Sequence, residues 1–305
     1  MTFIFDFINQ YLFSPVLRFF TEISGGSFAA GIFLFTLAIN IILIPLSIKS
    51  QKASVQQIKI KPKLDELKKK CGDDKQKYQL GMQKIYQEEN VSMGGGCLPM
   101  IIRLVLIMSI YYLVVSPITY LAPQVDKETL KAATVAVGAE EKNLRSELVI
   151  VEKALDGSVS DPSVLKIKEE IKDLKFDFLG AIDLTKQPKF SLNFSKVGKE
   201  QLLLWLIPFG SFLAAMFSSI ISLVQQKKVN PSAPNMAGMM LTMPLMSLFI
   251  AFNAPAGLGL YWAFSSIIGG LIQAAVQEFY GPYKMIAKEH KKQILNAYEK
   301  EQKVK

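Results

Sequence analysis

Long runs of apolar residues, separated by polar segments, dominate the chain. Five such runs lie at 28–48, 96–116, 201–224, 236–252 and 258–276. A membrane-spanning helix needs about 20 largely apolar residues, and these runs do not alternate polar and apolar positions as a soluble helix or strand would. We therefore predict an all-α polytopic membrane protein with five transmembrane helices.

The N-terminal segment, 1–27, has a different pattern. Asp6, Asn9 and Arg18 interrupt its apolar residues, so it is too polar to span. Its apolar positions would share one face of a helix: Phe3, Ile4, Phe7, Ile8, Tyr11 and Leu12. This pattern predicts an amphipathic helix that lies in the membrane interface on the extracellular side.

Four polar segments complete the chain. Segment 49–95 is rich in strong helix formers on both sides of Gly72, which predicts a helical hairpin. Segment 117–200 carries a helical insert at about 126–175, which Gly157 divides into two predicted surface helices. A short loop covers 225–235, and a basic helical tail covers 277–305.

The distribution of charge predicts the orientation. The loop at 225–235 has lysines and no acids, and the segments at 49–95 and 277–305 are also basic. Five spans place all three on one side, which is therefore cytoplasmic. The segment at 117–200 is lysine-rich as well, but it exceeds the length of about 60 residues above which loop charge stops setting the orientation. We expect the N-terminus outside and the C-terminus in the cytoplasm.

Composition agrees with a membrane protein. Half of the 305 residues are hydrophobic and the mean hydropathy is +0.26. The net charge of +9 comes from lysines interleaved with acids, which fits a cytoplasmic membrane face better than a groove that binds nucleic acid. The two cysteines, Cys71 and Cys97, are expected to be reduced thiols.

The sequence contains no recognisable set of catalytic residues. The single histidine, His290, lies in the basic tail, and Gly94–Gly96 lacks the lysine of a phosphate-binding loop. Two cysteines and one histidine do not suggest a structural zinc site. We expect no catalytic residue, no metal, no cofactor and no enzyme activity.

Arg103 is a charge inside a predicted span. It lies about seven residues into the second run, roughly 10 Å below the cytoplasmic surface at 1.5 Å per residue. An unpaired arginine at depth costs about 2.5–3.5 kcal/mol on insertion scales. The sequence leaves three explanations: snorkelling to the headgroups, pairing with carbonyls, or lining a water-filled cavity.

Other polar residues lie at matching positions in two more spans. Asn40 is roughly 12 Å from the cytoplasmic end of the first run, with Thr36 one turn away. Ser265 and Ser266 follow Trp262 in the fifth run. Together with Arg103, these side chains predict a hydrated groove that binds substrate. Alternatively, the hydroxyl and amide groups only hold the helices together.

Two further sets of residues suggest contact surfaces. The fourth run contains Met239, Met243 and Met246, whose adaptable side chains suit a surface along which substrate helices slide. Packing or lipid contact is the alternative. The tail crowds four lysines into a short stretch: Lys284, Lys288, Lys291 and Lys292. They predict contact with ribosomal RNA, and the alternative is attraction to the anionic inner leaflet.

Several motifs resemble the YidC family of membrane protein insertases. LAINIILIPLSIKSQKASVQQIKIKPKLDELKKK is similar to the family's first span and hairpin, and GGCLPMIIRLVLIMSIYYLV to its second span. FLGAIDLTKQP resembles the segment before the third span. MPLMSLFIAFNAPAGLGLYWAFSSIIGGLIQ resembles spans four and five most strongly. The resemblance covers about 28–120 and 176–280, in the family's order.

The resemblance implies a function and a location. It implies a bacterial cytoplasmic-membrane protein without the large periplasmic domain, whose hydrophilic groove accepts a polar segment of a nascent membrane protein without nucleotide hydrolysis. It also implies that the hairpin and tail meet the ribosome or the signal recognition machinery. The Sec translocon is a further possible partner.

The sequence departs from the family at two groove positions. The family carries an arginine where this chain has Asn40, and usually a glutamine where this chain has Arg103. The positive charge of the groove therefore lies on the second span in this chain and on the first span in the family. Two other functions stay open: an anion transporter or channel with Arg103 as its binding charge, and a membrane assembly scaffold without insertion activity.

Overall fold

The structure, a computed structural model, describes residues 2–72, 74–91, 98–140, 143–191, 197–229 and 237–304. These residues are mostly helical. The helices are α1 Thr2–Ile8, a π-helical turn Asn9–Phe13, α2 Ser14–Ile23, α3 Phe28–Ile42, α4 Ile44–Cys71, α5 Lys75–Glu88, α6 Leu98–Val115, α7 Pro117–Leu121, α8 Lys127–Ala136, α9 Ser146–Asp156, α10 Pro162–Ile171, α11 Lys199–Val229, α12 Ala237–Phe252, α13 Ala256–Tyr280 and α14 Pro282–Val304. Strands β1 Asp177–Phe178 and β2 Ile182–Asp183 form an antiparallel hairpin.

Helices long and apolar enough to cross a membrane are present. Among the described residues, Lys199–Gln225 of α11 and Ala256–Tyr298, which runs through α13 into α14, qualify by length and composition. A third span results if α3 and α4, which are interrupted at Leu43, count as one broken helix. The mostly helical structure and these apolar helices agree with an all-α membrane protein, and the count of five spans stays a prediction.

The chain forms two compact units. The first comprises Met1–Asn40, Leu104–Ile220 and Ala237–Gly270. The second comprises Ile41–Arg103, Ile221–Met236 and Leu271–Lys305. Each unit therefore combines segments that are far apart in the sequence.

The first unit has an apolar core made by its helices. Phe28, Ile32 and Phe35 of α3 and Ile110 and Leu113 of α6 are almost fully buried. Glycine lets α13 approach α11 closely, because a Cβ on Gly259 would lie 2.7 Å from Cγ2 of Ile207. Close approach at small residues is the usual way in which membrane helices pack.

The N-terminal helices turn apolar side chains outward. Phe7, Tyr11 and Leu12 are exposed, whereas Asn9 is fully buried and donates from Nδ2 to the carbonyl of Ser109 at 3.3 Å. An exposed apolar face suits contact with lipid. The location of this segment in the membrane interface stays a prediction.

The insert contains three helices, α8, α9 and α10, rather than the two surface helices that the sequence predicts. Asp126 and Asp161 cap α8 and α10, because their side chains accept from the backbone N–H groups of Thr129 and Ser163. Gly157, in the left-handed conformation, ends α9. The helices share a buried core made by Ala133, Leu148, Ile150, Val151, Ala154, Val164, Ile167 and Ile171. The expectation of solvated surface helices underestimated this core.

A backbone junction joins the end of the insert to the turn between α2 and α3. The N–H of Lys175 donates to the carbonyl of Gly26 at 2.8 Å, and the N–H of Phe28 donates to the carbonyl of Lys175 at 3.0 Å. Gly26 has a φ of +82°, and a Cβ there would lie 1.7 Å from the carbonyl oxygen of Asp173. Only glycine permits this approach.

The second unit contains α4, α5 and α14. Helices α4 and α5 contact each other, and Lys63 of α4 forms an ion pair with Glu89 just after α5. Helix α14 contacts α4, and Nζ of Lys59 lies 2.6 Å from a carboxylate oxygen of Glu289. The basic tail is therefore a helix that packs along the first helix of the predicted hairpin.

Candidate functional site

A polar ladder runs along α3. Thr36 is buried and donates from Oγ1 to the carbonyl of Ile32 at 2.6 Å. Asn40, one turn further on, is half-buried and donates from Nδ2 to the carbonyl of Thr36 at 2.8 Å. Both side chains therefore bond to their own helix. Thr36 is a packed hydroxyl, and Asn40 remains partly accessible.

The predicted groove residues of α13 resemble Asn40 in their exposure. Trp262, Ser265 and Ser266 are all half-buried. The rings of Phe33 on α3 and Phe264 on α13 meet edge to face, with centroids 5.2 Å apart. The structure therefore brings together two of the helices that carry predicted groove residues.

Arg103 cannot be added to this arrangement. Its backbone lies in α6, but its side chain is outside the part of the chain that the structure describes. It also belongs to the second compact unit, whereas Asn40 belongs to the first. The pairing of Arg103 with Asn40 across a groove stays a prediction.

Only part of the predicted methionine surface is described. Met246 on α12 is 67% exposed. The side chains of Met239 and Met243 lie outside the described residues. The exposure of Met246 permits contact with lipid or with a substrate helix.

The four tail lysines differ in their surroundings. Nζ of Lys284 lies 2.6 Å from the carboxylate of Glu278 and also donates to the backbone carbonyl of that residue. Lys288, Lys291 and Lys292 are exposed on α14. A phosphate-rich partner would therefore meet three solvated lysines and one that already has an acidic neighbour.

A polar contact centred on Glu147, at the start of α9, has no signal in the sequence. Its buried carboxylate accepts from the N–H of Thr119 at 2.9 Å and from Oγ1 of Thr119 at 2.6 Å. Burial raises the pKa of the Glu147 carboxyl above its usual range, although the bonds from Thr119 oppose the rise. Glu147 thereby satisfies an N–H in the first turn of α7, which has no partner within its own helix.

Arg145, two residues earlier, holds a different helix end. Its guanidinium donates to the carbonyl of Asn253, just after α12, and to Oε1 of Gln187. Gln187 in turn donates from Nε2 to the carbonyl of Phe252 at 3.1 Å. Carbonyls at the C-terminus of a helix lack intrahelical donors, and a cation is favourable there. We call Arg145, Glu147 and Gln187 the helix-end clamp.

The segment around the clamp also begins α13. The N–H of Ala256 donates to the carbonyl of Lys186 at 2.8 Å, and the N–H of Gly257 donates to the carbonyl of Leu184 at 2.9 Å. The turn between α12 and α13 is therefore held from two sides. The two segments that meet here lie in two family motifs, FLGAIDLTKQP and MPLMSLFIAFNAPAGLGLYWAFSSIIGGLIQ, but their hydrogen bonds join distant parts of the chain and leave no signal in the sequence.

Metal ligands do not cluster in the described part of the chain, where no group of three or more His, Cys, Asp or Glu residues could hold an ion. The polar side chains described above on α3 and α13 carry an amide, hydroxyls and an indole N–H. Such groups can bind and orient a polar peptide segment by hydrogen bonding.

Comparison with known proteins decides the family. A sequence model of the family described as 60Kd inner membrane protein matches residues 19–282. The chain belongs to this family. The match includes every helix from α3 to α13, so the family assignment rests on both compact units.

Individual family members give the same result. A protein of Fusobacterium nucleatum subsp. nucleatum described as membrane protein insertase YidC is 24% identical over 281 residues, which are 92% of this chain and 97% of the relative. A YidC of Bradyrhizobium diazoefficiens is 27% identical over 89% of this chain and 36% of its own length. One of Clostridium perfringens is 36% identical over 29% of this chain and 37% of its own. The resemblance to the YidC family is confirmed.

Proposed function

We propose that this chain is a membrane protein insertase that receives nascent membrane proteins and releases them into the bilayer without nucleotide hydrolysis. Membership of the 60Kd inner membrane protein family over 19–282 is the observation that carries the proposal. The half-buried polar side chains on α3 and α13, two helices that meet at Phe33 and Phe264, support it. The chain would thereby promote insertion without catalysing a chemical reaction.

The physical task of the groove is to lower the free energy of a polar segment within the membrane. A charged side chain at the bilayer centre costs about 2.5–3.5 kcal/mol even on insertion scales. Amide and hydroxyl groups such as those of Asn40, Ser265 and Ser266 would replace part of the lost hydration. Trp262 would border this region, and Met246, with Met239 and Met243, would offer an adaptable apolar surface to the arriving helix.

Reconstitution into liposomes tests this function. A newly synthesised single-span substrate should become protease-protected in liposomes that contain the protein, in the absence of nucleotide, and should remain unprotected in protein-free liposomes. Equal protection in both preparations would contradict an insertase. Anion flux without insertion would favour the transporter, and neither activity would favour the assembly scaffold.

Five spans and an outside N-terminus form the proposed topology, in the bacterial cytoplasmic membrane. In a variant without Cys71 and Cys97, a single cysteine at Ser158 should react with an impermeant thiol reagent from outside intact cells. Ser158 is exposed in the turn between α9 and α10. A single cysteine at Ser232, which lies outside the described residues, should react only after lysis. Labelling of both positions from the same side would exclude the five-span topology.

The proposed partners on the cytoplasmic side are the ribosome and the signal recognition machinery, with the Sec translocon as a further partner. Lys288, Lys291 and Lys292 would meet ribosomal RNA, and Lys284 would join them on release from Glu278. Contact of this kind is electrostatic and weakens steeply as the salt concentration rises. Because Lys59 and Glu289 join α4 to α14, the hairpin and the tail would bind such a partner as one surface.

A further inference from the structure

A cavity of about 410 Å³ lies between the insert and the first turn of α11. Four parts of the first unit form its wall: α9, the segment 185–189, the start of α11 and Pro255, just before α13. Arg145 of the helix-end clamp lines one side. Residues of the clamp and of the insert therefore form the wall of the cavity. The proposed function assigns no role to the insert.

The level of the cavity relative to the bilayer follows from α11. Glu200, Gln201 and Leu204 line the cavity, and they lie in the first turns of the candidate span Lys199–Gln225. The first turns of a spanning helix lie among the lipid headgroups.

Aromatic residues mark the same level. The ring of Phe190 stacks on that of Trp205, with centroids 5.6 Å apart, and Nε1 of Trp205 donates to the carbonyl of Lys189 at 2.9 Å. Phe190 is 55% exposed. Aromatic rings with polar anchors are enriched at the interface between membrane and water. The cavity thus opens where headgroups are concentrated.

The lining of the cavity carries charges of both signs. Its basic residues are Arg145, Lys186 and Lys189, and its acidic residues are Glu152 and Glu200. Lys186 and Glu200 form an ion pair at 2.6 Å, in which the Glu200 side chain is 61% exposed. An exposed ion pair contributes little stability, so Lys186 and Glu200 can separate and each can bind an opposite charge of a ligand. Apolar lining comes from Leu148, Val149, Leu204 and Pro255.

We propose that this cavity binds the headgroup of a zwitterionic phospholipid that bears a primary ammonium group. Lys186 and Lys189 would bind the phosphate, and Glu152 and Glu200 would bind the ammonium, with the apolar residues against the glycerol and the first carbons of the acyl chains. A simple anionic headgroup would leave both carboxylates facing negative charge. The proposal rests on the membrane location of the proposed function and not on insertion activity.

The test measures lipid retained by the purified full-length protein. The protein is reconstituted with equal amounts of phosphatidylethanolamine, phosphatidylcholine and phosphatidylglycerol, extracted into detergent, and its bound lipids are quantified by mass spectrometry. The unaltered protein should retain phosphatidylethanolamine preferentially. Lys189→Gln and Glu152→Gln should each lower this preference by about tenfold, the effect of losing one charge-assisted contact.

Matched controls lie on the same insert. Lys166→Gln and Glu170→Gln change exposed residues of α10 that do not line the cavity, and both should leave lipid retention unchanged. Unaltered unfolding temperatures would establish that the cavity variants are folded. Arg145 is left intact because its loss would also open the clamp.

Three results would overturn the proposal. The first is equal retention of the three lipids by the unaltered protein, a result that does not depend on any variant. The second is a preference for phosphatidylglycerol. The third is a preference for phosphatidylethanolamine that Lys189→Gln and Glu152→Gln leave unchanged although both variants are folded. Insertion activity could fail in the liposome assay while lipid retention succeeds, so the two proposals fail separately.

Discussion

Arg103→Gln should reduce insertion of a substrate with an acidic translocated segment by about tenfold or more, equivalent to about 1.4 kcal/mol. Arg103→Lys should retain much of the activity, because the charge of Arg103 and not its shape is proposed to act. A positive charge in a low-dielectric groove attracts carboxylates more strongly than it would in bulk water. Protease protection of the acidic substrate in liposomes measures the effect.

Two variants make the Arg103 test specific. Asn40→Arg combined with Arg103→Gln restores the arrangement usual in the family, so it should recover insertion. Arg18→Gln removes an arginine that pairs with Glu22 on α2, outside the five predicted spans, and should leave insertion unchanged. An Arg103→Gln protein with full activity would instead indicate that the Arg103 side chain only snorkels to the headgroups.

Gly26→Ala should lower the free energy of unfolding by about 3 kcal/mol or more. Two effects add together: the positive φ of Gly26 disfavours a side chain, and the new Cβ would lie 1.7 Å from the carbonyl oxygen of Asp173. That oxygen belongs to the backbone, so it cannot rotate away as a flexible side chain can. Thermal unfolding of the detergent-solubilised protein should report the loss.

The neighbouring glycine provides the control for this change. Gly25 has a φ of +65°, but a Cβ added there would have nothing within 4 Å. Gly25→Ala should therefore cost only the strain of a left-handed conformation, about 1–2 kcal/mol. If Gly25→Ala and Gly26→Ala lowered the unfolding temperature equally, the approach of Gly26 to Asp173 would have no energetic importance.

Features that depend on local composition could be predicted from the sequence. The apolar runs at 201–224 and 258–276 lie within α11 and α13, because a long apolar stretch in a membrane satisfies its backbone hydrogen bonds as a helix. The family could also be predicted, since it rests on motifs that are continuous in the chain. Signals for the starts of α8 and α10 were present as well, because Asp126 and Asp161 are both side-chain caps, whereas α9 begins without one.

Features that depend on distant contacts could not be predicted. The sequence identifies Asn9 as a polar interruption on an exposed helix, yet the fold buries it against the backbone of Ser109. Arg145 and Glu147 have the pattern of two solvated charges in a mixed-charge segment. Their partners are distant in the chain and include the carbonyl of Asn253 and the N–H of Thr119, backbone groups that the residue type does not reveal. The sequence could not establish the groove for the same reason, because only the tertiary structure decides whether side chains from different helices converge.

The helix-end clamp has a consequence for the order of events during synthesis. Glu147 follows its partner Thr119 by 28 residues, so this contact can form as soon as α9 has been made. Arg145 precedes Asn253 by 108 residues, a length that takes roughly 5–20 s to translate at typical rates. During that interval the insert can already contact α7 and, through Lys175, the turn between α2 and α3, whereas the carbonyl of Asn253 that Arg145 contacts has not yet been made. Completion of α12 is therefore the step that locks this end of the protein.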